Sequence, residues 1–248
     1  VLGVADASGQ VTYTDVNPDI VLDLGGTFDV DFTGAVPTGN VQISNPADLA
    51  GGTAALAFPS SGGAMVGFAK TAKIAALTPP KEDQEIIKER RMNYYRYMSE
   101  VTGPAVAVIE DVDYPNCIGA YWGEVNTKVH KGFGLSGALT NGVMRDLGDL
   151  AEDFPVVAGS IGPSHGFVHV REIDTKINVL GMSVSPNDLI HADLHGAVVI
   201  PKEVINDLKD AIHKLFASEQ LILGPAEKKD FNFDSFKSAW EDFEKSRT

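Results

Sequence analysis

Apolar positions recur with two different periods along this chain, and the change of period marks out its elements. Over residues 81–99 they return every three to four residues. Ile87, Tyr94, Tyr95 and Met98 then fall on one face of a charged helix whose start is set by Pro79-Pro80. Residues 104–109 form a short continuous apolar run and read as a buried strand. A helix over 124–131 ended by Gly132, a strand over 135–140 with a turn at Asn141-Gly142, and a short helix over 145–152 follow. Strands are predicted at 156–159, 167–172, 177–180 and 197–200, with a turn at Ser185-Pro186-Asn187-Asp188. A helix begins at Pro201 with Val204, Leu208, Ile212 and Leu215 on one stripe. A last helix over 234–245 carries Phe236, Trp240 and Phe243 on one face.

Strands alternating with helices, then consecutive strands, predict a layered α/β domain. Residues 1–78 differ from the rest. They are rich in Gly, Ala, Thr, Asp and Val, poor in Lys and Arg, and hold short alternating pieces such as Val11-Thr12-Tyr13-Thr14 that read as strands. No site is placed there. The aromatic face of the last helix has two readings, packing on its own domain or an arm reaching a neighbouring subunit.

Composition narrows the function classes. The 248 residues suffice for one large domain or one domain with extensions. A formal net charge of −14 disfavours nucleic acid and anionic membrane surfaces as partners, because the long-range field repels both. It does not exclude a small anionic substrate held by one local arginine. Cys117 is the only cysteine, so neither an intramolecular disulfide nor a cysteine-cluster zinc site is possible. No apolar run approaches the roughly 18 residues of a membrane span, no secretory-leader pattern is visible, and a cytoplasmic location is expected. The runs Gly25-Gly26, Gly51-Gly52 and Gly62-Gly63 match neither a Walker loop nor a dinucleotide fingerprint.

The candidate chemistry lies in the middle. Gly123-Glu124 is followed, after twenty intervening residues, by Arg145-Asp146. Arg145 offers a planar fork for a substrate carboxylate. Asp146 and Glu124 offer hard oxygens for a divalent cation or its waters. Tyr121-Trp122-Gly123-Glu124 and Asn141-Gly142 through Arg145 read as two loop-to-helix junctions. Helix N-termini favour anions, so the N–H groups of Val125 and Asn126 would face a ligand. The same spacing also accommodates a surface ion pair of Arg145 with Asp146 and a plain helix N-terminal charge at Glu124.

The segment 66–201 resembles the RraA-like family, which includes class II pyruvate aldolases and the regulator of ribonuclease activity A. The resemblance runs through Gly67-Phe68-Ala69-Lys70-Thr71, Ala105-Val106-Ala107-Val108-Ile109-Glu110-Asp111, Trp122-Gly123-Glu124 and Gly142-Val143-Met144-Arg145-Asp146. It continues in Phe154-Pro155-Val156, Ile161-Gly162-Pro163 and 193–201. It implies a swivelling β/β/α-type core over 66–216, a divergent region over 1–65 and a helical extension over 217–248. It implies a homotrimer or hexamer with sites between subunits. In the aldolase members Arg145 would hold the pyruvyl carboxylate, Asp146 would ligate Mg²⁺ or Mn²⁺, and Glu124 would hold a metal-bound water. A neighbouring subunit's C-terminal acid would complete the site. Glu219 is the candidate, after a helix over 203–216, and Glu227 the alternative.

The resemblance therefore implies a metal-dependent lyase acting on a 4-hydroxy-2-keto dicarboxylic acid or oxaloacetate and releasing pyruvate. The alternative is a non-catalytic regulator, as the family's founding member inhibits ribonuclease E by binding it. A methyltransferase is rejected, because no glycine-rich S-adenosylmethionine loop is present. Three features depart from the family pattern or stand outside it. Asn141 stands where Asp is common, which removes a charge near the site. The first 60 or so residues do not follow the usual opening helix. His165, His169, His191 and His195 lie between Gly159 and Gly196 or within the turn there, and read as strand and turn histidines with local hydrogen bonds rather than metal ligands. His130 reads as structural.

Overall fold

The structure is a computed structural model that describes residues 64–193 and 195–247 and, before them, the backbone of five short strands. Those five are β1 (Val4–Ala5), β2 (Val11–Thr12), β3 (Ile20–Asp23), β4 (Val41–Ser44) and β5 (Ala55–Ala57). The pieces β1 and β2 pair antiparallel, and β3 and β4 pair parallel. The glycine turns expected before residue 64 lie outside the described residues.

The central sheet is built on β6 (Met65–Ala75), β7 (Ala105–Asp111), β9 (Leu135–Thr140) and β11 (Val156–Ala158), all parallel. Between them come α1 (Gln84–Ser99), β8 (Ala120–Trp122), α2 (Glu124–Gly132) and β10 (Val143–Met144). The strand β5 closes one edge antiparallel to β11. After β12 (Ser160–Ile161) come β13 (His169–Ile173), β14 (Ile177–Val179), β15 (Met182–Val184), β16 (Leu189–Asp193) and β17 (Gly196–Ile200). Both β13 and β16 run antiparallel to β6, at its two ends, and β17 lies outside β16.

Strand β7 shows why the apolar run is continuous. Ala105, Ala107 and Ile109 point into a core with Tyr94, Met98, Trp122, Leu135 and Phe154. Val106 and Val108 point to the other face, into a core with Met65, Leu139, Ile177, Val179 and Ile190. A parallel strand covered on both faces has no polar side to show. The first core lies under α1, whose buried residues Ile87, Tyr94 and Met98 belong to the predicted stripe, while its fourth member, Tyr95, is partly buried. The helix is capped by Asp83, whose carboxylate accepts from the Glu85 N–H at 2.9 Å, rather than by the two prolines.

A second, smaller sheet has the order β12-β10-β8, all parallel. Each of its strands comes next in the chain after a strand of the large sheet: β8 follows β7, β10 follows β9, and β12 follows β11. This doubled β layer with helices is the β/β/α arrangement expected from the resemblance.

The helix expected over 145–152 is absent, and turns take its place. Asp146 has φ of 55° and Asp153 has φ of 53°, both in the left-handed region, which a right-handed helix cannot include. At the end of α2, Gly132 is helical, and the left-handed residue is Gly134 with φ of 93°. The sequence pattern predicts none of the strands β8, β10, β12, β15 and β16.

The chain divides into two compact units, 1–199 and 200–248. The second holds a 3₁₀ turn (Lys202–Val204), α3 (Ile205–Ala226) and α4 (Phe233–Arg247). The boundary expected after residue 216 falls inside α3. Along α4 the rings of Phe233, Phe236, Trp240 and Phe243 form a ladder with successive centroids 6.4, 5.8 and 5.5 Å apart. Val204, Ile212 and Leu215 of the predicted stripe are exposed.

Candidate functional site

Two chain junctions meet at the ends of β8 and β10, which are hydrogen-bonded neighbours. At the first, β8 runs through Gly123 into α2. At the second, β10 runs into the turn that begins at Arg145. The Arg145 N–H donates to the Trp122 carbonyl at 2.7 Å, which pins the two junctions together. Ala151 N–H donates to the Thr127 hydroxyl at 2.9 Å and ties the far end of the turn to α2.

Within this frame the Asp146 carboxylate sits at the N-terminus of α2. It accepts the Glu124 backbone N–H at 3.1 Å. Gly123, the N-cap, has no side chain to do this, so Asp146 supplies the cap from another segment. Arg145 Nη1 donates to the same carboxylate at 3.0 Å. The approach is possible because residue 123 is glycine. A Cβ there would stand 2.5 Å from Asp146 Oδ2, 3.0 Å from Arg145 Cγ and 3.2 Å from Arg145 Nε. The Nε–H itself is buried and has no acceptor among the described residues. The side chains of Arg145 and Asp146 are 33% and 28% exposed.

The structure thus brings Gly123, Glu124, Arg145 and Asp146 together. It engages the backbone of Glu124 rather than its carboxylate, which pairs with Lys128 on the next turn at 2.5 Å. Only one junction is a helix N-terminus, since the 145–152 segment is not helical. Val125 is exposed on the first turn of α2. Asn126 has its carboxamide engaged within the fold: Nδ2 donates to the Tyr121 carbonyl at 2.6 Å, and Oδ1 accepts from the Tyr95 hydroxyl at 2.8 Å. Glu219 lies within α3 rather than beyond the end of a helix, and is exposed. Glu227 is the residue that ends α3.

Asn141 has a role that spacing did not reveal. Its Oδ1 accepts the Asp111 N–H at 2.7 Å and its Nδ2 donates to the Asp111 carbonyl at 3.1 Å, so it extends the β7–β9 ladder by one side chain. An amide does this because it holds a donor and an acceptor together. Asp111 is fully buried, and one carboxylate oxygen, Oδ2, has no hydrogen-bond partner among the described residues. Burial raises its pKa above the ordinary carboxylate value, and the Cys117 thiol beside it is raised by burial and by this acid.

His130, His165 and His169 follow the structural reading. His165 and His169 each place Nδ1 against a nearby carbonyl, at 2.9 and 2.8 Å. His130 lies on the buried face of α2. Its Nδ1 faces the Asn126 carbonyl at 2.6 Å and so carries the proton, and its Nε2 accepts from the Tyr94 hydroxyl at 2.7 Å. Burial lowers its pKa to about 4.

Among the described residues no group of three or more His, Cys, Asp or Glu side chains is placed to hold a metal ion. The donor set at the junction suits a hard cation that uses one or two carboxylates and keeps several waters, as Mg²⁺ does. Each Asp146 oxygen retains a lone pair beyond the N–H it accepts. No helix among the described residues is long and apolar enough to cross a membrane.

Comparison with known proteins agrees with this architecture. The RraA-like family (Aldolase/RraA) matches residues 43–199. An uncharacterised protein of Methanocaldococcus jannaschii is 32% identical over 105 residues, 42% of this chain and 50% of its own. Protein DlpA of Legionella pneumophila is 25% identical over 128 residues, 50% of this chain and 20% of its own. The chain therefore spans half or less of the curated relatives it matches. The crystal structure of RraAS2 of Streptomyces coelicolor, an unusual member of the RNase ES inhibitor RraA family, superposes with a TM-score of 0.51 at 20% identity. That match covers 76% of this chain and 83% of that one.

Proposed function

The chain belongs to the RraA-like family, which includes both aldolases and regulators, and on that premise we propose that it is a lyase that releases pyruvate from a 4-hydroxy-2-keto dicarboxylic acid or from oxaloacetate. One observation carries the reading. Arg145 is held through Nη1 by Asp146 while its buried Nε–H lacks an acceptor among the described residues. A buried charged donor without a partner is costly, and a substrate carboxylate would satisfy it.

Arg145 would fix the plane of the keto acid through its carboxylate. A pair of parallel N–H donors does this better than a single ammonium. Asp146, oriented by the Glu124 N–H and by Arg145, would hold Mg²⁺ or Mn²⁺, with Glu124 assisting from the first turn of α2. A divalent cation there supplies an electrophile for the keto oxygen, where charge develops as the carbon–carbon bond breaks. Oxaloacetate makes the least demand on the chain's own residues. Loss of CO₂ sends the bond's electron pair toward the keto group, and no proton has to be removed first. A homotrimer or hexamer, with Glu219 of a neighbouring subunit at the site, belongs to the same proposal.

The experiment is pyruvate release from oxaloacetate and from 4-hydroxy-4-methyl-2-oxoglutarate, with Mg²⁺ or Mn²⁺ and with EDTA. Release that depends on the cation is expected; equal turnover in EDTA contradicts the reading.

A second reading is a non-catalytic regulator that binds a ribonuclease. It is supported by the net charge of −14, suited to a basic partner, and by the likeness to an inhibitor-family fold. Failure of a purified ribonuclease to bind the protein in pull-down counts against it.

A further inference from the structure

The proposed cation ligand owes its orientation to a helix end, so the residues that fix that helix end are part of the site. Glu124, which gives its N–H to Asp146, is the first residue of α2. Two residues on, the Asn126 side chain ties three elements together. Through Nδ2 it holds the Tyr121 carbonyl of β8, and through Oδ1 it accepts the Tyr95 hydroxyl of α1. Its own carbonyl accepts the Nδ1–H of buried His130, whose other nitrogen accepts the Tyr94 hydroxyl. Both polar atoms of the Asn126 side chain are bonded within the protein, each to a different element.

We infer that Asn126, with Tyr95, is a positioning residue: the pair fixes the first turn of α2 against β8, and so fixes the N–H that aims the Asp146 carboxylate at a divalent cation. The inference rests on the proposed reading of Asp146 as the cation's ligand. The chemistry requires an amide. A carboxylate at position 126 would face the Tyr121 carbonyl acceptor to acceptor, and a shorter side chain would leave β8 and α1 unlinked to the turn. Partners that orient a metal's ligand typically change affinity about 10- to 100-fold when removed. The single neutral hydrogen bond of the Tyr95 hydroxyl belongs at or below the lower end.

The test is binding of Mn²⁺ alone to the full chain, read as free Mn²⁺ by electron paramagnetic resonance, well below the unfolding temperature. The proteins are wild type, Tyr95→Phe, Asn126→Ala, Asp146→Asn and the control Ser136→Ala. The Ser136 hydroxyl donates to the Ala105 carbonyl at 2.9 Å at the opposite end of β9 from the site, so its loss loosens the sheet without touching α2. The dissociation constant is expected to rise about fivefold in Tyr95→Phe and about tenfold in Asn126→Ala, and to stay at the wild-type value in Ser136→Ala. Wild-type affinity in Tyr95→Phe, and in Asn126→Ala where that variant folds, overturns the inference and leaves Asp146 as ligand. An equal loss in Ser136→Ala also overturns it, since general loosening would then explain the effect. Absent binding in wild type, or full binding in Asp146→Asn, overturns the reading of Asp146 and this inference with it.

Discussion

The Asp146 carboxylate caps a helix to which it does not belong: it takes the backbone N–H of Glu124 at 3.1 Å, across twenty-one intervening residues of chain. Cap and candidate ligand are one group, which separates two effects of changing it. Asp146→Asn keeps an acceptor for the N–H and loses the charge. Asp146→Ala loses both. Asp146→Ala is expected to lower the unfolding free energy by about 1 kcal/mol relative to Asp146→Asn, with both variants failing to bind Mn²⁺. Denaturant unfolding of the pair checks the first part and metal titration the second.

Gly123 is required for space, not for backbone freedom. Its φ of −156° is open to any residue, but a Cβ would stand 2.5 Å from Asp146 Oδ2. Gly123→Ala is expected to fold and to lose pyruvate release about 100-fold, since small displacements of catalytic groups are that costly. Circular dichroism together with the release assay decides; a Gly123→Ala protein with wild-type turnover contradicts the geometry.

Asn141→Asp is expected to destabilise the protein by about 1–3 kcal/mol. The carboxylate would face the Asp111 carbonyl where the amide now donates at 3.1 Å, in a site where residue 141 is only 4% exposed. The urea midpoint reports this directly. An unchanged midpoint would mean that the ladder extension is dispensable.

His130 makes stability depend on acid. The unfolded chain takes up its proton near pH 6.5 and the folded one only near 4, so the unfolded state binds more protons between those values. The contribution is fully present above about pH 6.5 and is lost as pH falls toward 4, to a limit of about 3 kcal/mol. The ring ¹⁵N shifts of His130 are expected to stay those of the Nδ1–H tautomer from pH 7.5 down to 5.5. Protonation inside that window contradicts the buried arrangement.

Much of the scaffold was legible where one face decides the element. Ile87, Tyr94 and Met98 gave α1 its stripe, and the run Ala105 to Ile109 marked a strand buried on both faces. The strand over 135–140 was read with its observed ends. What failed was the segment after β10. The sequence suits a helix over 145–152, but Asp146 and Asp153 adopt left-handed backbone, and the Asp146 carboxylate is engaged by the first N–H of α2. The two-residue strands are equally silent, because Val143 and Met144 become β structure only through neighbours on β8 and β12.

At the site, the order of Glu124, Arg145 and Asp146 was visible in the family pattern. Their mutual arrangement was not. That Gly123 admits Asp146, or that Asn126 is engaged by Tyr95 and Tyr121, depends on the close approach of segments far apart in sequence. Asn141 is the instructive case: as a sequence it reads as a missing charge, and in the fold its side chain both gives to and takes from the Asp111 backbone.

The most direct test of the central claim is pyruvate release from oxaloacetate by wild type and Arg145→Ala, each with Mg²⁺ and at equal folded fraction. The account predicts release by wild type that falls at least about 100-fold in the variant, the loss expected when a bidentate anchor is removed from a bound carboxylate. Undiminished release by Arg145→Ala would contradict it, because the chemistry would then not depend on the guanidinium around which the site is built.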